Sequence, residues 1–249
     1  MGIFLAVTGK GGSGKTTVTS ILARQALEKG IKPMLAVDAD PNSTLAPLLG
    51  VTAQRTISDI RDEVMKAKAV VTGVPKERLL ERDMEDCIVE SNGFDLLAMG
   101  RPEGKDCYCF VNNLLRGGLE RLRGNYKLTI VDNEAGMEHL SRMNTADIDC
   151  LILVAEANMV GARTSARILE LADSLGVRVG RKVLVWSKVP STGVPPKAQE
   201  ILSEKCVDAV FQVPYDEGLA RLSGMEESVF KAQLPPAVAG LLDTCLNNK

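Results

Sequence analysis

An α/β fold, with a mostly parallel central sheet and helices on both faces, is what this sequence predicts, and three observations carry it. Short apolar runs alternate with longer stretches of helical period. Two of the runs, LTIV at 128–131 and LILVA at 151–155, are apolar at consecutive positions, the pattern of a strand covered from both sides. The first run leads into a glycine-rich turn ending in Gly-Lys-Thr that opens a helix. With 45% of its 249 residues apolar the chain can bury one large core, and a single domain over 1–249 is expected.

Taken in order, strands are expected at 3–8, 33–37, 95–99, 128–131, 151–155, 182–186 and 209–213, joined by right-handed crossovers. The charged stretch 57–90 lacks a clear strand and reads as helices on the rim of the sheet. The Pro/Gly/Ser cluster at 190–196 reads as a surface loop.

Composition removes several functions. The formal charge is −2 and the basic residues are scattered, so no stripe fits nucleic acid. No apolar run approaches the roughly 20 residues that span a bilayer, and the start resembles no signal peptide, so a cytoplasmic protein is expected. Six irregularly spaced cysteines suit reduced thiols or metal ligands rather than a disulfide framework. Cys87, Cys150, Cys206 and Cys245, each isolated, read as small apolar residues. A single histidine, His139, excludes a multi-histidine metal site within one chain.

The turn Gly9-Lys10-Gly11-Gly12-Ser13-Gly14-Lys15-Thr16-Thr17 has the spacing of a phosphate loop. Its glycines let successive N–H groups face a phosphate, Lys15 supplies a cation to the outer phosphates and Thr16 a hydroxyl for Mg²⁺, all at the positive end of a helix. The second strand runs into Asp38-Ala39-Asp40-Pro41-Asn42, at the carboxyl edge where ligands of open α/β sheets sit; a plain polar turn capped by Asn42 or Ser43 is the competing reading. The run at 128–131 closes on Asp132, the arrangement of a carboxylate that holds Mg²⁺ through water.

Cys107-Tyr108-Cys109 follows a Gly/Pro-rich approach. In an extended backbone residues two apart share a side, so both thiolates would reach one soft metal ion, Ni²⁺ or Zn²⁺; a two-fold dimer would complete a tetrathiolate site. Alternatively, the two cysteines are small apolar residues opening the helix 109–122.

GKGGSGKTT resembles the deviant phosphate loop of the family containing MinD, ParA, the arsenical pump ATPase and the nitrogenase iron protein. The resemblance implies ATP hydrolysis with Mg²⁺ in a homodimer, with Lys10 reaching the partner's nucleotide and Asp40 orienting or deprotonating the attacking water. It also implies Asp38 near Mg²⁺, and a switch loop from Asp132 to Gly136 that responds to the γ-phosphate. Adenine would sit between Ser187-Lys188 and Pro214-Tyr215-Asp216, although the family usually has asparagine where Ser187 stands. GRPEGKDCYC and DNEAGMEHLSR together resemble the nickel-inserting maturation ATPases of the CooC and AcsF type. That likeness implies a nickel ion on Cys107 and Cys109 delivered to carbon monoxide dehydrogenase or acetyl-CoA synthase. A membrane-bound MinD-like switch needs a basic amphipathic C-terminal helix, and PPAVAGLLDTCLNNK carries one basic residue. A ParA-like DNA partner needs a basic surface. An iron–sulfur carrier, or a dimerising switch with no metal, stays open.

Overall fold

The computed structural model describes residues 2–66, 83–101, 107–134, 148–225 and 228–246. Its elements are β1 (Ile3–Gly9), α1 (Lys15–Glu28), β2 (Met34–Ala39), α2 (Leu45–Leu48), α3 (Ile57–Lys66), β3 (Ile88–Glu90), β4 (Phe94–Ala98) and α4 (Cys107–Leu122). They continue with β5 (Leu128–Asn133), β6 (Ile148–Glu156), α5 (Met159–Ser174), β7 (Val179–Val189), α6 (Pro196–Ser203), β8 (Ala209–Pro214), α7 (Glu217–Met225) and α8 (Leu241–Leu246). The eight strands form one sheet in the order β3-β4-β2-β5-β1-β6-β7-β8. Every pairing is parallel except β3 against β4.

Strand β3 corrects the reading of 57–90 as helices alone. It pairs through Ile88↔Leu97 and Glu90↔Asp95, across a tight turn in which Ser91 N–H donates to Phe94 O at 2.9 Å and Gly93 sits at φ 96°. Asn92-Gly93 between apolar runs is a hairpin signal. A three-residue strand among charges is too short for periodicity to register. The helical part of the expectation holds at α3, which opens with Thr56 and Asp59 bonded to each other's backbone N–H groups in a capping arrangement.

Alternation along the strands divides the core in two. On β1, Phe4 and Ala6 join the layer under α3, α4, α5 and α6, while Leu5 and Val7 join the layer under α1, α2, α7 and α8. On β2, Leu35, Val37 and Ala39 take the first layer and Met34 and Ala36 the second. Each fully buried Leu, Ile or Val side chain contributes roughly 1.5–3 kcal/mol of transfer free energy, so a slip of one residue in register is strongly opposed.

The topology also locates the crevice. Helix α1 carries the chain from β1 to β2 on one side of the sheet, and α5 carries it from β6 to β7 on the other. Since β1 and β6 are neighbours, the loops that follow them diverge, which opens a cleft at their carboxyl ends.

Candidate nucleotide site

The loop after β1 is shaped by its glycines. A Cβ on Gly9 would run into the Val154 carbonyl oxygen of β6, so no other residue passes there. Gly12 and Gly14 adopt left-handed conformations at φ 77° and 91°. Gly14 precedes α1 and has no side chain to cap it, so the first turn of α1 offers N–H groups to an anion. Lys15 is buried, and its Nζ donates to Lys10 O at 3.3 Å, curling the ammonium back over the loop.

Beneath the loop lie two carboxylates. Asp38 on β2 and Asp132 on β5 are register partners on adjacent strands. Each follows the alternation of its strand onto the α1 face, Asp38 after Met34 and Ala36, Asp132 after Leu128 and Ile130. Asp38 accepts from Asp40 N–H at 3.2 Å and Leu45 N–H at 2.8 Å, so it secures the loop and the start of α2. The competing cap by Asn42 or Ser43 is not the one formed: Thr44 precedes α2 without a side-chain capping bond to the helix, and Asp38 serves Leu45 instead. Asp132 accepts from Thr19 Oγ1 at 3.3 Å, while its Oδ2 is buried without a partner.

Burial pushes both carboxyls up. Asp38 rises to about 6, with its backbone bonds opposing, and Asp132 to about 7, with the Asp38 charge adding to desolvation and Thr16, Lys15 and Thr19 opposing. An orphaned carboxylate oxygen next to a like charge, with the Thr16 hydroxyl beside it, is an oxygen donor set suited to a hard divalent cation. Mg²⁺ fits these residues. Among the described residues no group of three or more His, Cys, Asp or Glu forms a cage, and Mg²⁺ bound with substrate phosphates needs none.

A cavity of about 780 Å³ opens above the loop. It brings together Gly11, Gly12, Ser13, Gly14, Lys15, Thr16, Thr17, Asp40, Ser187, Lys188, Pro214, Tyr215 and Asp216. Every residue expected to touch nucleotide thus lines one space. Asp40 spends Oδ1 on the N–H and side-chain amide of Asn42, both at 2.9 Å. Lys10 is exposed and absent from this lining. Sequence reasoning missed Thr44, whose hydroxyl lies 3.3 Å from that of Thr16, and Glu134. It also missed an apolar wall of Val18, Ile21, Leu48, Val213, Leu219 and Ala220. A hydroxyl closing DADPNST could have flagged Thr44, but apolar positions on helix faces carry no motif.

At the far end, the side chains expected to meet the base are engaged with protein. Ser187 Oγ donates to Ser13 O at 2.7 Å and approaches Ala155 O at 3.3 Å. Lys188, at φ 52° where β7 shifts register against β8, donates to Gly12 O at 2.7 Å and pairs with Glu156 at 2.6 Å. Asp216 accepts from Leu219 N–H at 2.8 Å, the cap of α7. Tyr215 is exposed at the mouth.

The cysteine pair departs from expectation. Cys107 and Cys109 are the first and third residues of α4, helical rather than extended. The apolar spacing 107, 110, 111, 114, 115, 119, 122 is continuous at helical period, which extends the helix back to Cys107. Gly136 and His139 lie outside the described residues. Of the isolated cysteines, Cys87, Cys150 and Cys245 are buried as expected, whereas Cys206, in the turn before β8, is exposed.

A phosphate loop at the divergence of a doubly wound sheet, with two acidic strand ends beneath it, defines a P-loop nucleotide hydrolase. The family model for the CobQ/CobB/MinD/ParA nucleotide binding domain matches residues 4–229, and the chain belongs to that family of ATP-binding and ATP-hydrolysing proteins. It is 38% identical to an uncharacterized ATP-binding protein of Methanocaldococcus jannaschii, over 88% of this chain and 87% of that protein. It is 33% identical to the carbon monoxide dehydrogenase accessory protein CooC of Rhodospirillum rubrum, over 70% of each. Its fold is similar to that of the septum site-determining protein MinD of Pyrococcus horikoshii complexed with Mg-ADP, with a TM-score of 0.62 and 20% identity over 91% of this chain and 87% of that one. Among the described residues, no helix is long and apolar enough to cross a membrane.

Proposed function

We propose that the chain is a Mg²⁺-dependent ATPase, one domain over 1–249, that closes as a homodimer around ATP. Its cycle moves a nickel ion, with zinc as the competing metal, from Cys107 and Cys109 into carbon monoxide dehydrogenase or acetyl-CoA synthase. The observation that carries the ATPase part is the register pairing of Asp38 with Asp132 directly beneath a phosphate loop whose residues share one cavity. The cargo rests on the likeness to the accessory protein CooC and on the CxC spacing.

Lys15 and the amides at the start of α1 bind the phosphates, and Thr16, Asp38 and Asp132 hold Mg²⁺. When bound, Mg²⁺ supplies charge to the phosphoryl oxygens. Asp40 lines the cavity, and in this reading it orients the attacking water. Lys10 is exposed outside the cavity of its own chain, which suits action on the partner's γ-phosphate. Gly136, in the sequence DNEAG that begins at Asp132, is the switch position that the family likeness implies. The protein works in the cytoplasm, without nucleic acid or membrane.

Nickel titration followed by size-exclusion chromatography tests the cargo. The parent chain is expected to bind about one ion per two chains and to elute as a dimer, and the Cys107→Ala/Cys109→Ala variant to do neither. Equal nickel affinity and equal dimerisation in the variant sink the assignment. A second reading, a dimerising switch ATPase with no metal, is favoured by the helical backbone at Cys107–Cys109, because positions two apart on a helix do not face each other. Brown colour with visible absorbance in the purified protein would replace nickel by an iron–sulfur cluster.

A further inference from the structure

We propose that Ser187 and Lys188 are positioning residues that hold the phosphate loop in its ligand-binding shape by pinning two consecutive loop carbonyls, rather than readers of the nucleotide base. The inference rests on the reading of residues 9–17 as a phosphate loop.

The geometry comes from one dipeptide acting on one dipeptide. Ser187 Oγ donates to Ser13 O at 2.7 Å, and Lys188 Nζ donates to Gly12 O at 2.7 Å. Ser187 is buried, and a serine hydroxyl has a single proton, so the bond to Ser13 leaves none to donate to a base. Lys188 reaches the loop because β7 shifts register between Trp186 and Val189 and Lys188 itself takes φ 52°, an unfavourable backbone for a residue with a side chain. Its ammonium is then shared between Gly12 O and Glu156 at 2.6 Å. A strained residue whose side chain lands on the loop is a device for holding the loop.

What it holds would otherwise be loose. Gly11, Gly12 and Gly14 surround Ser13, and glycine loses more conformational freedom on ordering than any other residue. A peptide unit is planar, with C=O and N–H antiparallel. Fixing Ser13 O toward Ser187 therefore turns Gly14 N–H away from Ser187, and fixing Gly12 O toward Lys188 sets the Ser13 N–H, which donates to Lys10 O at 3.2 Å. The loop is ordered before the ligand arrives, so less ordering remains to be supplied by binding. Such an effect depends on the phosphates and is indifferent to the base.

The test measures dissociation constants of ATP, GTP and inorganic tripolyphosphate, each with Mg²⁺, for the parent chain, Ser187→Ala, Ser187→Thr and Lys188→Met, with melting temperatures recorded in parallel. Losing one hydrogen bond on the loop is expected to weaken all three ligands by the same factor, roughly threefold to tenfold, in Ser187→Ala and in Lys188→Met. Ser187→Thr, which keeps the hydroxyl, is expected to restore parent affinity. A loss confined to ATP and GTP, or a changed ATP-to-GTP ratio, would assign these residues to the base and overturn the proposal, as would unchanged affinity for tripolyphosphate. Failure of the parent chain to bind any of the three would overturn the phosphate-loop reading itself.

Discussion

Asp38 with Asp132 and Cys107 with Cys109 are both pairs of candidate metal ligands, and they are set in opposite kinds of backbone. The carboxylates come from two neighbouring parallel strands at one register, so the pleat turns both toward α1 and the sheet fixes their separation. The thiols come from one chain segment two residues apart, and that segment is the first turn of α4. A sheet assembles a two-ligand site within one chain from residues 94 positions apart in the sequence (132 less 38). In a helix, positions two apart do not share a face, so the backbone at Cys107–Cys109 does not build a two-ligand site within one chain. The two carboxylates are thus brought together within one chain, and in the function proposed above a second copy would act through Lys10 and the cysteines.

The largest expected effect tests that division. In Lys10→Ala, nucleotide binding is expected to survive, because Lys10 contributes its carbonyl rather than its side chain to the loop of its own chain. Turnover is expected to fall on the order of 100-fold or more, since a cation at the transferred phosphoryl group is worth that much. Binding by fluorescent nucleotide and phosphate release by a coupled assay separate the two. Parent-like turnover would remove the need for a partner and make the two sites alike.

How much of this could be read from residues alone follows the same line. The loop Gly9–Thr17, the seven parallel strands and the acidic strand ends were legible because spacing and strand period are local properties. Strand β3 was not, because three residues beside Asn92-Gly93 give no period. The use of Ser187, Lys188 and Asp216 was not, because their partners Ser13, Gly12 and Leu219 are chosen by how β7 bulges and α7 starts. At the cysteine segment the Gly/Pro-rich approach points to extended backbone, whereas the helical apolar spacing that begins at Cys107 decides the structure.

The second effect concerns the carboxylates. With Asp132 near 7 and Asp38 near 6 when folded, against roughly 3.9 when unfolded, the native state holds more protons between about pH 4 and 7. Their contribution to stability is therefore favourable at low pH and is lost as pH rises through the folded values. Asp132→Asn without Mg²⁺ is expected to melt higher than the parent at pH 8, by on the order of 1–3 kcal/mol in stability, with the gap shrinking toward pH 5. Mg²⁺ with ATP is expected to raise the parent's melting temperature and to leave the variant's nearly unchanged. A variant that melts lower than the parent at pH 8 would mean that Asp132 is stabilised by protein partners alone, and the contrast with the cysteines would lose its basis.

The smallest effect is the sharpest probe of how the sheet tunes its carboxylate. Thr19 Oγ1, one turn into α1, lies 3.0 Å from Lys15 O and 3.3 Å from Asp132 Oδ1 and shares its single proton between these two acceptors, so it ties the helix that follows the loop to the acid beneath it. Its hydroxyl favours the charged form of Asp132. Thr19→Val keeps the volume and removes the hydroxyl, and it is expected to move the pH midpoint of Mg²⁺-dependent turnover upward while lowering the plateau at high pH only slightly. Thr19→Ser is expected to leave the midpoint where it is. If both variants shift alike, the methyl group is responsible through packing under α1. If the valine variant shifts downward, the hydroxyl was bonding the protonated acid, and Asp132 meets the cation as a neutral group that must first lose its proton.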